Sequence, residues 1–304
     1  MNEEPRTKNV LQEPRTKNQE HNVKVTVYSS ESALKSPVQL LKDLLADVFS
    51  PQTHELAVAL LKRDIKGQYR LSFLGLAWMF APVIINTFIW VFLNKQKVLN
   101  VGTTDIPYPV YVFAGTLMWN AFTMGLSAPI QAVNKERGML TKLQFPREAL
   151  LVSGLLKLLF DTLVQLVIFI PVFLWYQMPL THWMWLLPIV VIATPFCGYT
   201  IGVLLTPAAL LFNDLVYAIP FVVRFWFFLT PIIYPVPTSG LIGWVAKLNP
   251  ATPLIVTARD VLAGQPPTMI PEYFTLFGVC LLLCFAGLII YRLAMPIIIE
   301  RMSA

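Results

Sequence analysis

The sequence is short of charge. Only 13% of its 304 residues are Asp, Glu, Lys or Arg, about half of the roughly 25% that an average soluble domain carries, which excludes an ordinary soluble enzyme. Histidine is almost missing: His21, His54 and His182 are too scattered to build a metal or acid–base site. The three cysteines, Cys197, Cys280 and Cys284, all fall in apolar stretches and read as inert packing residues. No G-x-x-x-x-G-K-[ST] and no G-x-G-x-x-G occurs, so nothing here cradles ATP or a dinucleotide phosphate. The eight carboxylates beyond residue 71 form no D-x-D cluster; Glu148, Asp161, Asp214, Asp260 and Glu272 stand apart from one another. Catalysis within this chain is not expected, and no metal site is.

What the sequence has in excess is apolar length. Hydrophobic residues make up 56% of it and the mean hydropathy is +0.62. Of its 40 charges, 20 fall in residues 1–71 and 20 in the 233 that follow. Each membrane crossing needs roughly 20 mostly apolar residues. Six apolar runs satisfy this, near 72–93, 109–131, 150–175, 184–206, 216–236 and 272–295. With the N-terminus inside, ten flanking Lys and Arg fall on the inner side and four on the outer; the excess predicts that both ends are cytoplasmic. The fold class expected is an all-α, multi-pass membrane protein of six spans. The net charge of +6 suits basic cytoplasmic loops and calls for no nucleic acid partner.

Four segments follow from composition. Residues 1–35 read as a disordered cytoplasmic tail, with EPRTKN at both 4–9 and 13–18, and their polar start excludes a signal peptide. Residues 36–71 read as amphipathic helices. Ser36-Pro37 starts one, Ser50-Pro51 ends it, and a second runs from about Thr53 to Arg70 with Ala57, Leu61, Ile65 and Tyr69 on one stripe. Basic residues beside that stripe suit an interfacial helix meeting anionic headgroups. Residues 72–296 hold the six spans, and 297–304 form a cytoplasmic C-terminus. Within 237–271, Leu241 to Leu248 and Ala251 to Ala263 are too short to cross and are separated by Asn249-Pro250, so they read as re-entrant or interfacial helices on the outer face.

Three charges inside the spans stand out, because an unpaired ion in a bilayer is costly. Lys157 and Asp161 are four apart on one helix and can pair. Arg224 has no partner at helical spacing; it either snorkels toward cytoplasmic headgroups or faces a pore. Aromatic residues recur on helical faces: Trp78 and Trp90 on the first span, Tyr108, Tyr111, Trp119 and Phe122 on the second, Phe225 and Phe228 on the fifth. Such rings serve either as interface belts and helix packing or as platforms on which sugar rings stack.

Several strings together resemble the membrane subunit of ATP-driven (ABC-type) polysaccharide exporters, which export O-antigen, capsule and teichoic-acid polymers. They are Arg63-Asp64-Ile65-Lys66, Tyr69-Arg70, Leu74-Gly75, Trp78 and Pro82, then Lys135-Glu136-Arg137-Gly138 with Lys142 and Phe145-Pro146-Arg147. Thr230-Pro231-Ile232-Ile233-Tyr234-Pro235 and Leu248-Asn249-Pro250 with Arg259 complete the set, in order across residues 36–300. The resemblance implies a homodimer enclosing a channel in the bacterial inner membrane. It also implies two copies of an ATPase subunit, which would bind ATP and Mg, leaving no cofactor in this chain. It makes 134–147 a coupling helix docked on that ATPase through Lys135, Glu136, Arg137, Gly138 and Lys142, with Met139, Leu140 and Leu143 as inserting knobs. It makes 53–70 an interface helix and 241–263 outer gate helices, with Asn249, Pro250 and Arg259 at the gate. The implied substrate is an undecaprenyl-diphosphate-linked glycan, whose head would meet Lys66, Arg70 and Arg147 at the cytoplasmic entrance. Two positions depart from the family pattern: Phe212-Asn213-Asp214 lacks a basic residue before the acid, and Arg224 stands where the family is polar and uncharged. A drug or small-lipid exporter of the same architecture is the alternative; it needs no ring-stacking platform.

Overall fold

The structure is a computed structural model that describes residues 37–70, 77–98, 102–143, 145–237 and 239–303. The expected tail at 1–35 with its repeat, Ser36 and Leu74-Gly75 lie outside the described residues. Among the described residues every regular element is helical.

Local chemistry sets the first boundaries. Helix α1 (Pro37–Val48) and helix α2 (Pro51–Arg70) are separated by Ser50. The Ser50 Oγ accepts the Thr53 amide at 3.2 Å, and Pro51 occupies the first turn, where its missing N–H costs nothing. The expected stop at Ser50-Pro51 is thus also the start of α2. The buried face of α2 is Thr53, Ala57 and Leu60, so the inward stripe shares Ala57 with the periodicity reading but turns toward Leu60 rather than Leu61. Leu60 packs in a cluster with Val133, Leu140, Leu150 and Leu151.

Next come helix α3 (Ala77–Lys95), helix α4 (Tyr108–Lys135) and the four-residue helix α5 (Arg137–Leu140). Helix α6 (Glu148–Val167) continues through Ile168 into helix α7 (Phe169–Trp175). A 3-10 turn (His182–Leu186) leads into helix α8 (Leu187–Leu211). Helices α9 (Asn213–Leu229), α10 (Gly240–Leu248), α11 (Ala251–Leu262) and α12 (Ile270–Ser303) complete the chain. The centre is the contact of α4 with α8, to which α12, α6, α11 and α3 add their faces. Glycine brings the two backbones together. A Cβ on Gly198 would stand 2.0 Å from the Phe122 carbonyl oxygen, one on Gly125 2.1 Å from that of Pro195, and one on Gly202 2.3 Å from that of Leu126. Small residues four apart allow this approach, which gives packing energy where water cannot drive association.

Among the described residues, four helices are long and apolar enough to cross a bilayer: Ala77–Lys95, Glu148–Trp175, His182–Leu211 and Ile270–Met302. Their outward residues are apolar, among them Phe88, Phe92, Leu163, Ile170 and Leu282, so the chain is a multi-pass membrane protein. The other two expected spans are helices of different character. Helix α4 has 28 residues but carries Thr116, Asn120, Thr123, Ser127 and Gln131. Helix α9 has 17 residues and stops at Leu229; the apolar run to 236 leaves the helix at Thr230-Pro231, because proline cannot continue the hydrogen-bond ladder. Helix α12 runs unbroken to Ser303, so the described part of the expected C-terminal segment at 297–304 is helical.

Candidate functional site

The segment after α4 is held from two sides. Arg63 on α2 donates through Nη1 to Glu136 Oε2 at 3.3 Å and through Nη2 to Glu136 Oε1. Lys135 Nζ donates to Asp64 Oδ1 at 2.5 Å. On the other side, Arg137 Nη2 donates to the Leu210 carbonyl at 3.1 Å and to Asn213 Oδ1 at 3.3 Å, at the junction of α8 and α9. Burial pushes the Asp64 carboxyl up, but hydrogen bonds from Lys135 and Arg63 outweigh it and hold the group below the usual carboxylate range. Asn213 thus accepts from Arg137 at the position where the sequence departs from the family pattern.

Within this segment the side chains divide by exposure. Leu140 is 5% exposed and packs inside the chain among Leu60, Leu150 and Leu151. Leu143 is 60% exposed. Gly138 and Lys142 are exposed and Met139 is half-buried.

A cleft of about 460 Å³ opens beside the clamp and gathers charges that the sequence scatters. Its walls include Asp64 and Lys135, then Lys157 and Asp161 from α6, and Arg224 from α9. Lys157 Nζ donates to Asp161 Oδ2 at 2.6 Å and to Gln68 Oε1 of α2 at 3.0 Å. The second Asp161 oxygen is buried with no partner. Arg224 is exposed, and no ion-pair partner for it occurs among the described residues.

A second cleft, of about 410 Å³, shares Thr123, Val223 and Arg224 with the first and is lined by Trp90, Trp119, Phe227 and Phe228. Trp90 lies 6.3 Å from Phe227 and 6.1 Å from Phe228, between ring centroids. The aromatic stripe therefore splits. Trp90, Trp119 and Phe228 line the cleft, while Phe122 is 1% exposed and packs on Trp119 and Trp226, so it is a packing residue. Trp78 and Phe225 face outward, beyond the lining.

Tyr108 and Tyr111 do something else. Their hydroxyls donate to the carbonyls of Ile233 at 3.1 Å and Tyr234 at 2.9 Å, fixing the chain after α9. The Arg259 guanidinium lies 3.9 Å over the Tyr111 ring and donates to the Pro231 carbonyl at 3.2 Å. Asn249 is a hub. Its Nδ2 donates to Thr230 Oγ1 at 2.8 Å, its Oδ1 accepts from Trp226 Nε1 at 2.8 Å, and the same oxygen accepts the Ala251 amide at 3.0 Å, beside Pro250. Together these bonds tie α10 and α11 to the end of α9.

Of the expected entrance cations, Lys66 is exposed on α2 and Arg147 precedes α6, and neither lines either cleft. The side chain of Arg70 lies outside the described part. The cations on the cleft walls are Lys135, Lys157 and Arg224 instead. Sequence reasoning missed the Arg63–Glu136 and Lys135–Asp64 clamp, and the roles of Trp226 and Phe227. The Phe225-Trp226-Phe227-Phe228 run was the signal for the last two, since four successive rings on a helix must face several directions.

The helices and clefts together define a class: a multi-pass helical membrane protein with a polar and aromatic groove and a clamped loop after α4. The profile of the family described as "ABC-2 type transporter" matches residues 55–263, and the chain belongs to that family of transporter permeases. It is 27% identical over 215 residues to the O-antigen export system permease protein RfbA of Myxococcus xanthus, covering 69% of this chain and 81% of that protein. It is 24% identical over 245 residues to the protein of the same name from Klebsiella pneumoniae, covering 78% of this chain and 91% of that one.

Proposed function

We propose that this chain is the channel-forming subunit of an exporter that moves a lipid-diphosphate-linked, O-antigen-like glycan across the bacterial inner membrane, driven by ATP hydrolysis on a partner. The observation that carries this reading is the joining of the two clefts at Thr123, Val223 and Arg224. A polar, charged wall there passes directly into a wall of indole and phenyl rings, and sugars need both: hydrogen bonds for hydroxyls and flat apolar faces for C–H groups. The relatives named above, O-antigen export permeases, support the same substrate class.

In this reading the chain crosses six times, using α4 and α9 besides the four apolar helices, with both ends cytoplasmic. Polar positions on α4 and the outward apolar face of α9 (Phe221, Phe225, Leu229) are what a channel wall in a homodimer requires. Two ATPase subunits dock on the loop around Leu143, and the clamp of α2 on Lys135 and Glu136 carries their motion to the interface helix. Lys66, Arg70 and Arg147 take the diphosphate head at the cytoplasmic surface, ahead of the clefts.

The test is depletion of this chain in its own cell. Surface polysaccharide should fall while lipid-linked glycan accumulates inside, and Leu143→Asp should reproduce the phenotype. Normal surface glycan with loss of resistance to a hydrophobic drug would assign the chain to drug export instead.

A further inference from the structure

The two clefts contain three cations and two carboxylates. Lys135 is paired with Asp64, and Lys157 with Asp161. That leaves one positive charge without compensation, on Arg224, and Arg224 lies at the junction that both clefts share. Its neighbours on the second cleft are Trp90, Trp119, Phe227 and Phe228, which offer rings but no counter-charge. Arg224 is exposed with no ion-pair partner among the described residues, and a guanidinium binds oxyanions through two parallel hydrogen bonds. A neutral glycan passing this point supplies no counter-charge; a glycan with a carboxylate on its sugar rings supplies one beside the surface on which those rings stack.

We propose that Arg224 makes this permease selective for acidic glycans, binding a sugar carboxylate at the junction of the charged and aromatic clefts. The proposal rests on the export reading above and narrows its substrate class. The arrangement explains why the stacking rings and the free guanidinium occur on consecutive turns of α9: Arg224, Phe227 and Phe228 lie three and four residues apart on one side of that helix. Lys157 cannot take the same role, because Asp161 and Gln68 already occupy its ammonium.

The experiment is an equilibrium titration of the purified full chain in complex with its ATPase, read by tryptophan fluorescence. The probes are trigalacturonate, maltotriose of the same length and inorganic pyrophosphate. Trigalacturonate is expected to bind at least tenfold more tightly than maltotriose, with an affinity that falls as salt rises. Arg224→Gln should abolish that preference, bringing trigalacturonate down to the affinity of maltotriose, and Arg224→Lys should keep part of it. The side chain is exposed, so the variants should fold, and an unchanged melting temperature checks this. A preference that survives in Arg224→Gln, or equal affinities in the wild type, overturns the proposal and leaves glycan export standing. Arg224-dependent pyrophosphate binding as tight as that of trigalacturonate overturns it in favour of the lipid carrier's diphosphate. Failure of both sugars to bind overturns both the selectivity and the glycan channel.

Discussion

The guanidinium of Arg259 lies 3.9 Å over the ring of Tyr111, while the hydroxyl of the same tyrosine donates to the Tyr234 carbonyl at 2.9 Å. One aromatic side chain on α4 thus holds both a cation from α11 and the backbone that follows α9. Arg259 also donates to the Pro231 carbonyl and lies 3.5 Å from Asp260 Oδ1. Asp260 in turn accepts from the amide and hydroxyl of Thr268, and burial pushes its carboxyl up. Three elements that would otherwise be independent converge on Tyr111.

This convergence ranks two substitutions. Tyr111→Phe keeps the ring under the cation and removes one hydrogen bond, a loss of about 1 kcal/mol. Arg259→Met removes the charge from a buried pair and leaves Asp260 and the Pro231 carbonyl without it, which costs about 3 kcal/mol. Thermal melting of the detergent-solubilised protein should fall slightly for the first and severely for the second. Equal falls would show that the cation contributes no more than the hydroxyl.

The clamp between α2 and the loop after α4 predicts a pH dependence with a definite sign. The Asp64 carboxyl is held below its ordinary value of 3.8 by Lys135 and Arg63. A depressed carboxyl contributes stability that is complete above the unfolded value and is lost as pH falls through the folded one. The melting-temperature gap between the wild type and Asp64→Asn should therefore stay constant from about pH 7 to pH 5 and narrow only below the ordinary carboxylate range. Lys135 and Arg63 are half-exposed, so each pair contributes only about 0.5 kcal/mol. A gap that instead changes near neutrality would place the titrating group elsewhere.

How much of this was legible beforehand depended on distance along the chain. Lys157 and Asp161 are four residues apart, and helix geometry alone puts them within reach of each other. Prolines marked the breaks at Ser50-Pro51 and Asn249-Pro250, because a ring without an N–H ends or restarts a helix regardless of tertiary context; Thr230-Pro231 carried the same signal, but the expected fifth span ran through it to 236. The family followed from the order of short strings along the chain. Arg63 and Glu136 are 73 residues apart, and nothing local announces such a pair. The aromatic stripe on α4 shows the limit most clearly. Periodicity placed Tyr111, Trp119 and Phe122 on related faces, but whether a face meets a cleft, a buried guanidinium or another helix is decided by its neighbours, and each of the three met a different one.

The contact between α4 and α8 is the least tolerant part of the fold. Gly198 has no room for a methyl group, with the Phe122 carbonyl 2.0 Å from where a Cβ would stand and the obstacle being backbone. Gly198→Ala must separate two helices along their main contact, which costs about 3 kcal/mol. Gly138, where nothing lies within 4 Å, should accept alanine with a change within about 0.5 kcal/mol. Comparing the two in yield and melting temperature tests the packing directly, and a stable Gly198→Ala protein would mean that the helices are farther apart than described.

Leu140 and Leu143 separate stability from coupling. Both are apolar and both lie in the loop that the family resemblance assigns to ATPase contact, yet one is buried at 5% exposure and the other is 60% exposed. Leu140→Asp places a carboxylate among Leu60, Val133, Leu150 and Leu151, with no partner there, so it should destabilise the protein by about 3 kcal/mol or more and lower its yield. Leu143→Asp buries nothing and should leave the melting temperature within a degree or so of wild type. Its effect should instead be on the complex: the ATPase should no longer co-purify, and transport should stop. If Leu143→Asp retains the ATPase while Leu140→Asp folds normally and loses it, the loop must turn over to dock. The exposed face would then be the wrong place to look for the contact.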